Sequence, residues 1–400
     1  MARHRGSGLR LRGVAGWPLA VIAVLLISTL GYVGWSSLGA MVERRADAEA
    51  ASCPQGDQTL RIAAEDSMAA PLIESAQEWS ATRPVVQDYC IRVEVTTHRS
   101  ADVLRGLVDE WDEAEHGARP DAWVPDSLRW VQQLSEQRGD LIGSQPLVLA
   151  TSPILLGMSE PAAHAVRLHG GLRWSEVSDL VEEPSGWSRF EQDAWGRFVL
   201  VLPDPATNPA TGLALEGVLA GPDATGPVTS EALAEQGAQD TLGRLWRNEP
   251  REVPPTTREA LTVLGRTTDP GAEAFHAAPV AEVDLYRRNL GLDGDQAPQT
   301  PIAGFMPGGA NPRVEYPLVA INGGERDTTL SRATQQFGEF LRHRDQQRVL
   351  AEAGFRVTAV MYYPNPAPGV RWSTPDANLA SADGPTSQEL IESWHGQAER

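Results

Sequence analysis

The 400-residue sequence predicts an α/β protein, a parallel sheet whose helix-leading turns gather at one edge, standing behind a single N-terminal transmembrane helix. Three stretches carry that reading. A strand, polar turn, helix rhythm repeats at TLRIAAEDSMAA, IRVEVTTHRSADVL and DAWVPDSLRW. Residues 316–356 read as an inner strand ending at Asn322-Gly323-Gly324, then a helix with Leu330, Ala333, Phe337, Phe340 and Leu341 on one stripe, then a second helix stopped by Gly354 with Phe355 behind it. Residues 17–38 run without a charge.

At 1.5 Å per residue that run spans about 33 Å, enough for a bilayer core of about 30 Å. Arg3, Arg5, Arg10 and Arg12 precede it with no acid, which places the N-terminus inside and the body outside the membrane. Trp17, Tyr32 and Trp35 sit at its ends, where interfacial aromatics belong. A cleaved signal peptide stays open as the alternative, because Ser37-Leu38-Gly39 offers small residues, but the run is longer than a usual signal core. Residues 39–52 form a polar, Ala-rich stalk. Cys53 and Cys90 are the only cysteines; an even pair beyond a membrane segment predicts one disulfide, with two free thiols as the alternative. Cys53 lacks the adjoining apolar core that lipid attachment needs.

Through the body, residues 59–64, 91–98 and 121–124 are the expected strands of the first rhythm, with Ser100 and Ser127 placed to cap the helices that follow. PLVLATSPILLGM is a long apolar run with Thr151-Ser152-Pro153 inside it. A strand at 198–202, a polar turn and a helix from about Thr211 make the clearest later unit, and FHAAPVAEVDLYRRN repeats the pattern. Residues 221–237 read as a surface loop with a weak helix.

The YPLVA strand, the polar helix start, the long helix and the QRVLAEAGF ending are similar to the C-terminal part of bacterial extracellular solute-binding proteins, which have the two-lobed type II periplasmic-binding fold; GARPDAWVPDS is a second family-like stretch. PIAGFMPGGANPRVEYPLVAI resembles, more narrowly, members in which this module is followed by a von Willebrand A domain, a domain not expected within these 400 residues. The resemblance implies two interlobe crossings, at PLVLATSPILLGM and YPLVA, and two crossings make a hinge. It divides the chain into a cytoplasmic basic tail (1–16), an anchor (17–38), a stalk (39–52), the first part of lobe 1 (53–152), lobe 2 (153–314), the return of lobe 1 (315–363) and a C-terminal surface tail (364–400).

It also implies a ligand held between the lobes by hydroxyls and helix-start N–H groups. The candidates are Ser67, Ser100, Trp123 and Asp126 in the first-lobe turns, Ser152 at the first crossing, Thr207, Asn208 and Thr211 in DPATNPATG, and Tyr316 at the second crossing. Capping explains Ser100 and Thr211 equally well, a plain turn explains Asp126, and packing explains Trp123 and Tyr316. Glu65 and Asp66 stand where oxyanion binders of the family carry small or hydroxyl residues, and two carboxylates there repel phosphate or molybdate unless they point away. A cationic solute, or a cleft that has lost ligand binding, is left open.

Composition narrows the classes further. A net charge of −19 argues against nucleic-acid binding, which needs a basic surface. All 34 basic residues are Arg, which excludes P-loop, Schiff-base, Ser-x-x-Lys and kinase chemistry. No metal site, cofactor or catalytic residue is expected. The expected function is that of a membrane-anchored extracytoplasmic protein that closes two lobes on a small solute, with a transporter permease as a candidate partner. The alternative is a cell-surface interaction or regulatory protein that keeps the fold without a small-molecule ligand and binds an envelope protein.

Overall fold

The computed structural model describes residue 17 and residues 53–399 apart from 222–223, 225, 267–268, 324–326 and 358–364. The expected basic tail, anchor and stalk therefore lie outside the described residues except for Trp17. Among the described residues no helix is long and apolar enough to cross a membrane.

The first lobe follows the strand, turn, helix rhythm. It runs β1 (Asp57–Ala64), α1 (Asp66–Ala81), β2 (Val85–Val86), β3 (Tyr89–Thr97), α2 (Ser100–Val108), α3 (Glu113–His116), β4 (Ala122–Val124) and α4 (Leu128–Arg138). β3, β1 and β4 pair in parallel, with Leu60 opposite Val93 and Ile62 opposite Ala122, so that the polar turns after each strand open at the same sheet edge. Cys53 and Cys90 form a disulfide, Cα to Cα 5.3 Å, that ties the start of the body to β3.

β5 (Leu147–Met158) then leaves this sheet as one continuous strand. Its first half pairs antiparallel with β9 (Arg313–Ala320), and its second half pairs antiparallel with β6 (Ala277–Ala281) and β7 (Ala303–Phe305). An outgoing and a returning strand side by side must be antiparallel, so the sheet expected to be parallel is mixed, in the order β2-β3-β1-β4-β9-β5-β6.

The second lobe adds α5 (Glu160–Leu168), α6 (Val177–Glu182), α7 (Pro209–Leu219), α8 (Ser230–Ala234), α9 (Gln236–Arg247), α10 (Thr257–Leu264) and α11 (Glu282–Leu290) around β6. The strand expected at 198–202 is instead an extended segment held by the bridge from Leu200 to Ala277. The Val199 N–H donates to His276 Nδ1 at 2.9 Å, so an imidazole takes the place of a ladder partner.

After β9 the chain finishes the first lobe with α12 (Asp327–Leu341) and α13 (Arg344–Glu352). Gly354, at φ 99°, ends α13 as expected: the Phe355 N–H donates to the Leu350 carbonyl and the Gly354 N–H to the Ala351 carbonyl, the Schellman pattern, with Phe355 fully buried.

The end of the chain differs from a surface tail. Ala367 and Val370 join the second-lobe core around Leu261 and Phe275. β10 (Ala377–Asn378) pairs with β8 (Ala310–Asn311). α14 (Gly384–His395) then buries Leu390, Ile391 and Trp394 against α8 and α9, and touches α4 of the first lobe. The Pro- and Ser-rich lead hides this helix from sequence inspection.

Candidate functional site

Each turn that leaves a first-lobe strand faces the starts of second-lobe helices, and a cleft of about 480 Å³ lies between them. Glu65, Asp66 and Ser67 enter from the β1–α1 turn, and Asp126 from the turn after β4. Thr207 to Ala210 enter from the start of α7, Thr256 to Glu259 from the start of α10, and Asp284 and Arg287 from α11. Tyr316 and Val314 on β9 line it from the hinge.

Of the residues proposed from sequence, the structure brings together Ser67, Asp126, Thr207, Asn208 and Tyr316 at the cleft. The other four stand behind it. Ser100 opens α2, and its N–H and Oγ–H donate to Glu65 Oε2 at 2.7 and 2.6 Å while its Oγ accepts the Asp126 N–H at 3.1 Å. The cap of α2 is therefore a carboxylate 35 residues upstream rather than Ser100 itself. Trp123 is fully buried in the first-lobe core with Val103, Leu134 and Val319. Ser152 accepts the Val283 N–H at 3.0 Å and caps α11. Thr211 lies in the first turn of α7, fully buried, its Oγ1 without a hydrogen-bond partner among the described residues.

Sequence reasoning missed the second-lobe charges. Thr256 and Arg258 follow a Pro-Pro and read as an ordinary helix start, and Asp284 reads as a first-turn acid. The available signal was Asp284 followed at i+3 by Arg287, both on a helix that begins directly at a strand end.

The electrostatics are dominated by burial. Asp66 reaches across the cleft to Arg287 at 2.7 Å and Arg258 at 3.4 Å. Arg129, on α4, donates to the Pro205 and Ala206 carbonyls of the second lobe at 2.8 and 3.2 Å. Burial, then the neighbouring Asp126, pushes the Glu65 carboxyl up to about 8. Burial raises Asp126 too. Asp284 is pushed up to about 7 by burial, against the pull of Arg287. The Tyr316 hydroxyl, bonded to Ser67, is raised by burial and by Asp284, Asp126 and Glu65 around it.

Three helix starts at the cleft already have a side-chain acceptor from elsewhere in the chain or at their own cap. Glu65 serves α2, Ser152 serves α11, and at α10 Thr256 accepts the Glu259 N–H while Asn208 Oδ1 accepts the Thr257 N–H. Among the described residues no three of His, Cys, Asp and Glu stand close enough to hold a metal ion.

The family described as bacterial extracellular solute-binding protein matches residues 60–356. An uncharacterized protein of Mycobacterium tuberculosis, in two strains, is 28% identical over 359 residues, covering 90% of this chain and 51% of the relative. The chain thus spans about half the length of the curated relatives it matches. Among solved structures it is similar to a Trichodesmium protein in complex with iron and citrate, with a TM-score of 0.58 and 10% identity over 86% of this chain and 100% of that one. A Mannheimia haemolytica ferric iron-binding protein A in an open conformation gives 0.56 and 11% over 86% and 98%. A periplasmic thiamin binding protein gives 0.55 and 12% over 86% and 97%. At these identities the likeness is one of fold, the two-lobed periplasmic-binding architecture.

Proposed function

The chain belongs to the bacterial extracellular solute-binding proteins, and from that premise we propose that it is a membrane-anchored receptor that closes its two lobes over a small solute. The family is one of binding proteins, not enzymes. The observation that carries the reading is the cleft itself: its lining comes from both lobes and from the second crossing, and its volume of about 480 Å³ suits a small organic ligand. Ser67, Asp126, Thr207, Asn208 and Tyr316 are the proposed contacts, with Ser100, Ser152, Thr211 and Trp123 behind the lining. Lobe 1 comprises residues 53–152 and 315–363 and lobe 2 residues 153–314; residues 17–38 hold the body at the outer face of the membrane, and a transporter permease receives the solute. The iron and thiamin named for the solved relatives are chemically unlike, so the fold alone does not choose a ligand.

The test is a thermal-shift screen of the full chain against small solutes, with small-angle scattering on any hit. A ligand at a hundred times its Kd stabilises by about 2.7 kcal/mol, a readable rise in Tm, and closure lowers the radius of gyration. Fractionation of cells carrying the full chain, with and without residues 1–38, checks the anchor: loss of that segment should release the body from the membrane fraction.

One observation favours the second reading, an interaction protein without a small ligand. The pairs of Asp66 with Arg258 and Arg287, and the bonds from Arg129, already tie lobe to lobe with the chain's own groups. That reading expects no thermal shift from any solute in the screen and capture of an envelope protein instead.

A further inference from the structure

We propose that the cleft selects an organic cation, its charged nitrogen seated between Asp284 of the second lobe and Asp126 of the first; the inference rests on the solute-binding reading above. Six carboxyl side chains line the cleft against four guanidinium groups, and burial raises three of the carboxyls, Glu65, Asp126 and Asp284, so a cation seated beside them must draw off their protons. The guanidinium groups are largely committed: Arg287 to Asp66, Arg258 to the same carboxylate, and Arg288 to Asp293 and the Gln296 carbonyl. Only Arg99, exposed, has no such partner among the described residues.

An anion would look to helix N-termini, and most of those at the cleft are taken. The N–H groups at the starts of α2, α10 and α11 bond to Glu65, to Asn208 and Thr256, and to Ser152, the Asp66 N–H at the start of α1 also goes to Glu65, and α7 opens on Pro209, which has no N–H to offer. Asp284 is the reverse case. It lines the cleft in the first turn of α11, yet no hydrogen bond or ion pair reaches its carboxylate among the described residues. Arg287 and Arg258 draw on this carboxylate without bonding to it, and burial, with Asp126 and Asp66 beside it, outweighs them and raises its pKa. A cationic nitrogen supplies the missing partner. Among the described residues no three of these carboxylates stand close enough to hold a metal ion, and the volume exceeds what a metal ion fills, so an organic group spread through the cleft fits better.

The test is titration calorimetry of the full chain with choline, spermidine and agmatine as cationic probes, with phosphate, sulfate and molybdate as anions, and with glucose as a neutral polyol. At least one cation should bind with Kd below about 1 mM. Asp284→Asn should weaken it tenfold or more with the fold intact by circular dichroism, and Asp284→Glu, which keeps the charge, should retain most of the binding. If Asp284→Asn does not fold, Asp126→Asn serves as the second variant with the same expectation. Binding of an anion or glucose while the cations stay inert overturns the charge assignment and leaves the solute-binding reading in place. Three inert cations, or a cation bound equally well by Asp284→Asn, overturn the inference; whether the broader reading also falls is then decided by the thermal-shift screen.

Discussion

Truncating Trp394 should undock the C-terminal helix without unfolding the first-lobe sheet. Trp394 is 2% exposed, and its ring meets Trp246 of α9 edge-on, centroids 5.1 Å apart at 75°. Core Trp→Ala changes cost about 3–5 kcal/mol, of which an edge-to-face pair supplies about 0.5–1.5. The other ties of α14 are modest: Asp383 caps it through the Thr386 N–H at 2.9 Å, Glu216 accepts the Ala382 N–H at 3.0 Å and the Ser387 hydroxyl at 3.4 Å, and exposed or part-buried bonds join His395 to Asp204, Thr386 to Ser230 and Gln388 to Gln133. None of these joins β1, β3 or β4, so the loss falls on the docking of α14 against the second lobe. At about 1.4 kcal/mol per tenfold, opening of the helix should become two to three and a half orders of magnitude more frequent. Hydrogen exchange of the full-chain Trp394→Ala variant reads this directly: amides of residues 384–395 should exchange faster by that factor, and those of residues 57–64 should be unchanged. A change below tenfold in α14 would refute the estimate. An equal loss in β1 would show that helix and sheet open as one unit.

Reduction of the Cys53–Cys90 bridge, 37 residues apart, should cost about 4 kcal/mol in the chain-entropy model, seen as a lower Tm in dithiothreitol and absent in a Cys53→Ser/Cys90→Ser variant. Arg129→Ala removes two charge-assisted bonds to the second lobe, each worth about 1.5–3 kcal/mol before the relief of unburying a guanidinium; a net loss of about 2–4 kcal/mol and a larger radius of gyration are expected, and an unchanged radius would rule out its role as a tie. Stability should peak on the acid side of neutral. Glu65, raised to about 8, and Glu216, Glu249, Glu273 and Asp284, each raised to about 7, have folded pKa values above their unfolded ones, so the stability they contribute is present at low pH and lost as pH rises through 7–8. His276, lowered to about 4, loses its contribution as pH falls from 6.5 to 4, and calorimetric Tm values at pH 5.5 and 8.5 check the sign. Binding of the cationic probe should tighten as pH rises through 7, because Asp284, facing Arg287 on its own helix, Arg258 on α10, Asp66 and Asp126 of the first lobe and Tyr316 on β9, must give up its proton.

The turns were legible and their wiring was not. Apolar runs ending in polar turns are local signals, so Ser67, Asp126, Thr207 and Asn208 arrive together once parallel strands point their C-terminal ends the same way. The Gly354 stop was legible for the same reason: a positive φ and an apolar follower are written within three residues. The missed features are long-range. A carboxylate at 65 capping a helix at 100, or the hydroxyl of Ser152 capping Val283, leaves no periodic trace, because the partners are 35 and 131 residues apart. Trp123 looked like a cleft aromatic because it precedes a polar turn, but strand alternation points it into the core below.

The ties of Arg356 bear on how such a cleft can move. Arg356 grips Glu282 with two bonds of 2.6 and 2.9 Å, and its backbone exchanges hydrogen bonds with Thr151 on β5. Glu282 is 1% exposed, and breaking one partner of a buried pair costs about 3–5 kcal/mol, more than most solutes would supply through lobe motion alone. The Asp66 pairs are different: the carboxylate is half exposed and shared between two arginines, so its bonds can exchange at little cost. The lobe closure proposed above would therefore pivot about Glu282, Arg356 and Thr151 and be read out at Asp66, Arg258 and Arg287. α14 contacts both lobes and would limit that swing further. With such a pivot and an exchangeable set of charges, the proposed receptor would gain selectivity from charge placement more than from the breadth of its closure.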